Sequence, residues 1–124
     1  MSFRDSLGIE SSMLPNMATG FGAGVGRKGS LCGALTGSVM VIGMIRGRAD
    51  ANDQDRKEDT YSKCAQFWEA FEKEFGSNEC YGLSQCRFDD PADRERWLRS
   101  GGMAKCARIV ERAVELLSGV LQEP

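Results

Sequence analysis

The segment between Ser30 and Gly47 most strongly constrains the fold, because the helix that it predicts is apolar on nearly every side. The uncharged stretch that contains most of it runs for 17 residues, from Gly29 to Ile45, and includes glycine, serine and threonine. A membrane span usually needs about 20 predominantly apolar residues. The segment is therefore predicted to be a buried central helix, with Ser30 as its N-cap and no membrane partner.

Three other segments have the apolar periodicity or the boundary residues of helices. Residues 61–75 form an amphipathic pattern that ends at Gly76, a typical C-cap residue. Pro91 suits the first turn of a short helix that runs to Leu98. Residues 103–121 carry a single apolar stripe, which predicts the last helix.

The region ahead of the central helix is weakly patterned and rich in glycine. Residues 3–9 could start one helix, and Pro15 fits the first turn of a second one, which Ser11 or Ser12 could cap. Five of the residues from 20 to 29 are glycines, a pattern typical of a tight loop or a close backbone crossing.

The predicted fold is all-α, because no alternating strand pattern of useful length occurs. We expect one domain over residues 1–124, in which a glycine-rich region, 1–29, precedes a helical core, 30–124. The whole domain is predicted to be a bundle of four to five helices. Residues 50–59 are acidic and polar, and they form either a connecting loop or the start of the next helix.

The chain contains no histidine, which removes several classes of site. Neither a Ser-His-Asp or Cys-His nucleophile nor a zinc site with imidazole ligands can be built. Any metal would be held by thiolates, carboxylates or backbone oxygens, and thiolates favour iron–sulfur clusters, zinc or Cu(I). The formal net charge of -2 gives no electrostatic reason to expect nucleic acid as a partner. Residues 1–16 lack a secretory signal, so the expected compartment is the cytoplasm.

The five cysteines are the main functional candidates, because cytoplasmic thiols stay reduced unless they are catalytic or metal-bound. Cys32 lies at the start of the central helix, where the helix dipole favours an ionised thiol. Cys64 and Cys106 lie on apolar helix stripes, a position typical of core cysteines. Cys80 and Cys86 fall in a polar, turn-rich segment, where no core requires them.

The spacing of Cys80 and Cys86 matches neither a C-x-x-C dithiol nor a zinc knuckle, since five residues separate them. A loop of that length could close into a disulfide or wrap a metal. The helices that carry the other three cysteines could bring their thiols inward to meet this pair at one end of the bundle.

The glycines of residues 20–29 do not predict a nucleotide site. Arg27 stands where G-x-G-x-x-G requires glycine, and Lys28 precedes Gly29 and Ser30 instead of following the glycine of a phosphate loop. Arg27 and Lys28 do stand ahead of a predicted helix N-terminus, where they could hold an anion.

Residues 20–27 read Gly-Phe-Gly-Ala-Gly-Val-Gly-Arg, and residues 32–37 read Cys-Gly-Ala-Leu-Thr-Gly. Residues 75–80 read Phe-Gly-Ser-Asn-Glu-Cys, and Cys106 lies in the last amphipathic helix. Over residues 18–117 this arrangement resembles the C_GCAxxG_C_C family of redox-active proteins, which are small, helical and bacterial or archaeal. The resemblance implies cysteine-based redox activity, or an iron–sulfur or other metal centre.

By position, the resemblance assigns Cys32 to the motif cysteine, Cys80 to the cysteine after the Phe-Gly-Ser turn, and Cys106 to the last one. The chain departs in two places from the cysteine pattern that gives the family its name. Residues 32–34 read Cys-Gly-Ala where the pattern has Gly-Cys-Ala, and the chain has no cysteine before Cys32, where the pattern has one. It is therefore a divergent member that lacks the N-terminal cysteine, whose place Cys64 or Cys86 could take.

Three functions remain open at this point. The first is dithiol–disulfide exchange or electron transfer with a redox partner protein, through Cys80 with Cys86 or either of them with Cys32. The second is a zinc or iron–sulfur centre held by thiolates from Cys32, Cys80, Cys86 and Cys106. The third is an assembly module in which the cysteines only pack. The small-residue helix faces and two tryptophans favour a homodimer.

Overall fold

The computed structural model of the protein describes residues 13–123, and these residues form six α-helices and no strand. The helices are α1 (Met13–Ala18), α2 (Gly33–Arg46), α3 (Gln54–Phe75), α4 (Cys80–Ser84), α5 (Pro91–Arg99) and α6 (Gly102–Gln122). The all-α prediction is confirmed. The helix count is one above the predicted range, because the segment after Gly76 contains the short helix α4. The helix predicted over residues 3–9 lies outside the described residues, as does a cap at Ser11 or Ser12.

The core is formed by one face each of α2, α3 and α6, which pack against one another. Its most deeply buried side chains are Leu35, Ile42, Phe67, Phe71, Ala113 and Leu117. Burial of an aliphatic or aromatic side chain of this size contributes about 1.5–3 kcal/mol to folding. None of the helices in residues 13–123 combines the length and the apolar character that crossing a membrane requires.

Helix α2 is less enclosed than its apolar sequence predicts. Leu35 and Ile42 are almost completely buried, but Val39 and Met44 are each 37% exposed. The reason is that α3 and α6 cover only part of the α2 surface, and a groove between α1, α2 and α6 stays open in the described part of the chain. The predicted homodimer stays a prediction.

Capping residues set several helix boundaries. The Asp53 carboxylate accepts a hydrogen bond from the Arg56 amide at 3.0 Å, so α3 starts within the acidic segment whose conformation was left open. Gly76 ends α3 with φ at 79°, which confirms it as the C-cap residue. Pro91 occupies the first turn of α5, as predicted, and the Asp90 side chain caps this helix.

Helix α2 begins two residues later than predicted, with Cys32 rather than Ser30 as its N-cap. The predicted cap is wrong because the Ser30 carbonyl takes part in a backbone bridge with the segment that precedes α4. That bridge keeps residues 30–32 extended and places a cysteine at the helix start.

The C-terminal end of α6 is anchored by two basic side chains from other helices. The buried Lys63 ammonium group donates to the Glu123 carbonyl at 2.8 Å, and Arg46 donates to the Leu121 carbonyl at 3.1 Å. Arg46 also forms an ion pair with Asp59 at 3.3 Å. These positive charges lie at the negative end of the helix dipole and satisfy carbonyls at the helix terminus.

Candidate thiol site

Cys32, Cys80 and Cys106 line one cavity of about 410 Å³, which we call the thiol cavity. Cys32 is the N-cap of α2, Cys80 is the first residue of α4, and Cys106 is the fifth residue of α6. The larger side chains around them are apolar: Leu83, Phe88, Trp97, Met103, Ile109 and Val110. No charged side chain from residues 13–123 lines this cavity, so sulfur supplies its reactive groups.

An antiparallel bridge between Leu31 and Glu79 positions the two cysteines that follow these residues. The Cys32 and Cys80 amides each donate a hydrogen bond across the bridge, at 2.9 and 2.6 Å respectively. In this register the two cysteines are diagonal neighbours on the same face, and such neighbours lie about 7–8 Å apart. A disulfide needs a Cα separation below about 7 Å, so a small backbone movement would allow the two sulfurs to bond.

The glycine-rich segment packs against Cys80. Residues 23–27 have φ values from 52° to 69°, so five consecutive residues lie in the left-handed region, which is unfavourable for residues other than glycine. The Ser30 amide closes this segment by donating to the Gly24 carbonyl at 2.9 Å. A Cβ atom added at Gly24 would lie 2.7 Å from the Cys80 Cβ. Only glycine therefore fits at this contact.

A second close contact places Cys106 on the cavity. Gly102, the first residue of α6, is buried against the Trp97 indole, and a Cβ at this glycine would overlap the ring. Trp97 is 8% exposed and meets Phe88 edge-on, with 4.9 Å between the ring centroids. This packing fixes the start of α6 against α5, and Cys106 follows one helical turn later.

The three thiols lie close enough to affect one another's ionisation. Burial raises the pKa of Cys80 above its ordinary value of 9.0, a hydrogen bond with Ser84 lowers it in part, and repulsion from Cys32 and Cys106 raises it further. Burial also raises the pKa of Cys106, and repulsion from Cys32 adds to that effect. Cys80 and Cys106 are therefore protonated at neutral pH.

Cys86 and Cys64 do not line the thiol cavity. Cys86 is fully buried, its thiol donates to the Asp93 carbonyl at 3.7 Å, and burial raises its pKa. The expectation that no core surrounds Cys86 is wrong, because the chain after α4 turns back against α5. Cys64 is half-buried on α3 and packs against the core, as its apolar stripe predicts.

All five cysteines are free thiols, so the structure contains none of the three predicted disulfide pairings. Among residues 13–123, no three cysteine, aspartate or glutamate side chains are arranged to hold a metal ion. The residues present therefore do not form a ligand set for zinc or an iron–sulfur cluster in this conformation. A metal role for Cys32, Cys80, Cys86 and Cys106 stays a prediction.

The aromatic wall of the cavity was missed by the sequence reasoning. Nothing in the sequence spacing of Trp97 connects it with the cysteines. Phe88 carried one usable signal, since it is an aromatic side chain within a polar segment that contains two cysteines. The Ser84 hydroxyl, one turn after Cys80, was also missed, although a polar group at that spacing faces the same side of a helix.

The fold and the site define an all-α protein with three free thiols around one apolar cavity. The chain belongs to the family described as "Putative redox-active protein (C_GCAxxG_C_C)", whose family model matches residues 1–120. The resemblance inferred from the cysteine and glycine pattern is thereby confirmed. The chain is also similar to an "Uncharacterized protein" of Archaeoglobus fulgidus, with 31% identity over 116 residues that cover 89% of this chain and 72% of the relative. No solved structure matches it.

Proposed function

We propose that the protein performs thiol–disulfide exchange in the thiol cavity, where two of its three cysteines cycle between a dithiol and a disulfide. The observation that carries this proposal is that Cys32, Cys80 and Cys106, from three separate helices, line one cavity. Membership of a family described as redox-active agrees with it. The redox partner is proposed to present a disulfide.

The reaction consists of two exchange steps. A cavity thiolate attacks one sulfur of the partner disulfide, which forms a mixed disulfide and releases one partner thiolate. A second cavity thiolate then attacks the protein sulfur of that bond, closes the intramolecular disulfide and releases the other partner sulfur. The protein gives up two electrons and two protons, and the partner disulfide is reduced to two thiols.

The geometry favours a division of roles between Cys32 and Cys80. Cys32 caps the N-terminus of the 14-residue helix α2, where the helix dipole stabilises negative charge, so we assign it the first attack. Cys80 is its diagonal neighbour across the bridge, and its pKa is raised, so it stays protonated until the mixed disulfide forms. Cys106 supplies the third sulfur of the cavity.

A thiol count on protein equilibrated in glutathione redox buffers tests the proposal. Wild-type protein should lose two thiols reversibly as the potential rises through about -300 to -150 mV. Cys32→Ser and Cys80→Ser should abolish this two-electron change, whereas Cys64→Ser, which removes a thiol outside the cavity, should retain it. Wild-type protein that keeps all five thiols across this range would contradict the proposal.

Metal analysis of the same protein, purified without oxygen, separates the thiolate–metal alternative from thiol exchange. Stoichiometric iron or zinc that is lost in Cys32→Ser and retained in Cys64→Ser would support the metal centre. Metal-free protein that is folded and redox-active would contradict it.

A further inference from the structure

A second cavity of about 110 Å³, which we call the basic cavity, shares Phe88 with the thiol cavity. Its lining includes three positively charged side chains, Arg27, Lys28 and Arg87, and one acidic side chain, Asp89. The lining therefore has a net charge of +2, although the whole chain has a net charge of -2. Positive charge is thus concentrated beside the thiols.

These three cations have no acidic partner within 4.0 Å in the described part of the chain. Arginines elsewhere on the surface do pair with carboxylates, as Arg46 does with Asp59 at 3.3 Å. Arg87 instead lies over the Tyr81 ring, with 5.4 Å between its guanidinium carbon and the ring centroid. Because the three like charges repel one another and Asp89 offsets only one of them, a bound anion would stabilise this arrangement.

Hydrogen bonds hold the backbone that carries the basic side chains. Arg27 is the last residue of the left-handed segment, with φ at 67°, and the next amide, that of Lys28, donates to the Val25 carbonyl at 3.1 Å. The Arg87 amide donates to the Asp93 carboxylate at 2.6 Å. An anion would therefore meet cations on an ordered backbone, which lowers the entropic cost of binding.

The basic cavity adjoins the bridge that positions the thiols. The Tyr81 amide donates to the Gly29 carbonyl at 3.1 Å, directly beside the hydrogen bond from Cys80 to Ser30. Gly29 and Tyr81 line the basic cavity, whereas Cys80 lines the thiol cavity. The two cavities are therefore adjacent, and Phe88 lines both of them.

We propose that the basic cavity binds the carboxylate of a low-molecular-weight disulfide whose sulfur atoms react with the thiols of the neighbouring cavity. This inference rests on the proposed function and names its substrate class. The guanidinium groups of Arg27 and Arg87 carry paired N–H donors that match the two oxygens of a carboxylate. The protein dithiol is oxidised to a disulfide, the ligand disulfide is reduced to two carboxylate-bearing thiols, and no other oxidant takes part.

Three small disulfides that differ in charge test the inference on the fully reduced protein. They are 3,3′-dithiodipropionate, which is anionic, bis(2-hydroxyethyl) disulfide, which is neutral, and cystamine, which is cationic. For each disulfide, the rate at which the protein loses thiols is divided by the rate at which the same disulfide reacts with 2-mercaptoethanol. This normalised rate corrects for differences in intrinsic reactivity among the three reagents. The normalised rate should be highest for the anionic disulfide and lowest for the cationic one. This preference should shrink when the ionic strength rises from about 0.01 M to about 1 M.

Substitutions of the basic residues test whether the basic cavity causes the preference for the anionic disulfide. Arg27→Gln, Lys28→Gln and Arg87→Gln should each lower the rate with the anionic disulfide by about fivefold relative to the rate of the same variant with the neutral disulfide. Lys73→Gln is the matched control, because Lys73 is exposed on α3 and lines neither cavity. It should behave as wild type with all three reagents.

The outcomes separate this inference from the proposed function. Equal normalised rates for the three disulfides, or equal effects of Lys73→Gln and the three test substitutions, would overturn the inference while leaving thiol exchange intact. Protein that forms no intramolecular disulfide with any reagent would overturn the proposed function itself.

Discussion

Gly24 lies directly against Cys80, and no side chain fits between them. A Cβ atom at Gly24 would lie 2.7 Å from the Cys80 Cβ and 2.5 Å from the Ser30 amide nitrogen. The glycine-rich segment and the first residue of α4 are therefore in contact at the wall of the thiol cavity. The space at this contact therefore depends on the path of the glycine-rich segment.

Gly24→Ala should destabilise the protein by about 2–4 kcal/mol, because it adds an overlap with Cys80 to the strain of a positive φ. Gly26→Ala is the matched control: Gly26 has a similar φ of 58°, but nothing lies within 4 Å of its added Cβ. It should cost only about 1 kcal/mol. Urea unfolding measures the loss of stability in both variants. Equal losses would contradict the close contact between Gly24 and Cys80.

Cys32→Ser should lower the pKa values of Cys80 and Cys106, because it removes a sulfur whose negative charge raises both. Mass spectrometry of iodoacetamide alkylation against pH follows each cysteine separately. The midpoints for Cys80 and Cys106 should move to lower pH in the variant. Cys64→Ser, which removes a thiol that affects neither residue, should leave them in place. Unchanged midpoints in Cys32→Ser would show that the thiols do not interact.

The protein should lose stability in alkaline solution because burial raises the pKa of Cys64, Cys80, Cys86 and Cys106 above 9.0. The folded chain keeps these protons at a pH where the unfolded chain releases them, so unfolding becomes easier as pH rises above about 9. The urea midpoint should therefore fall between about pH 8 and about pH 10.5. Cys86→Ala should reduce the slope of this decline, although it also leaves a cavity. A slope identical to that of the wild type would mean that Cys86 does not contribute to the loss of stability at alkaline pH.

Arg46→Ala should cost about 1–2 kcal/mol, because Arg46 bonds to the Leu121 carbonyl near the end of α6 and to the Asp59 carboxylate. Arg48→Ala serves as the control, since Arg48 is exposed and its one side-chain hydrogen bond is to the nearby Ala51 carbonyl. It should change the free energy of unfolding by less than about 0.5 kcal/mol. Equal costs for the two variants would show that the α6 anchor is energetically unimportant.

Local sequence signals predicted the parts of the fold that depend on neighbouring residues. The C-cap at Gly76 and the helix start at Pro91 follow from the backbone preferences of glycine and proline, and both are present. The apolar stripe of residues 103–121 marks α6 because helical periodicity needs no tertiary information. The start of α2 was misplaced at Ser30, since a bridge to residues about 50 positions away sets it.

The candidate site likewise depends on contacts between distant segments, which local sequence signals do not predict. Cys86 stands among polar residues in the sequence, yet the turn back against α5 buries it. Cys106 lies on an apolar stripe typical of core residues, yet the contact between Gly102 and Trp97 places it on the thiol cavity. Both outcomes depend on packing between helices that are separate in sequence, which local patterns do not encode.

The bridge between Leu31 and Glu79 joins segments that are distant along the chain, so the cysteines next to it become neighbours only in the folded protein. In an unfolded chain the same two sulfurs meet rarely, and their effective concentration is low. Each would then exchange independently with outside thiols. In the proposed exchange reaction, the two cysteines acquire the capacity to act as a two-electron couple only on folding, and loosening of the bridge would make them two independent thiols.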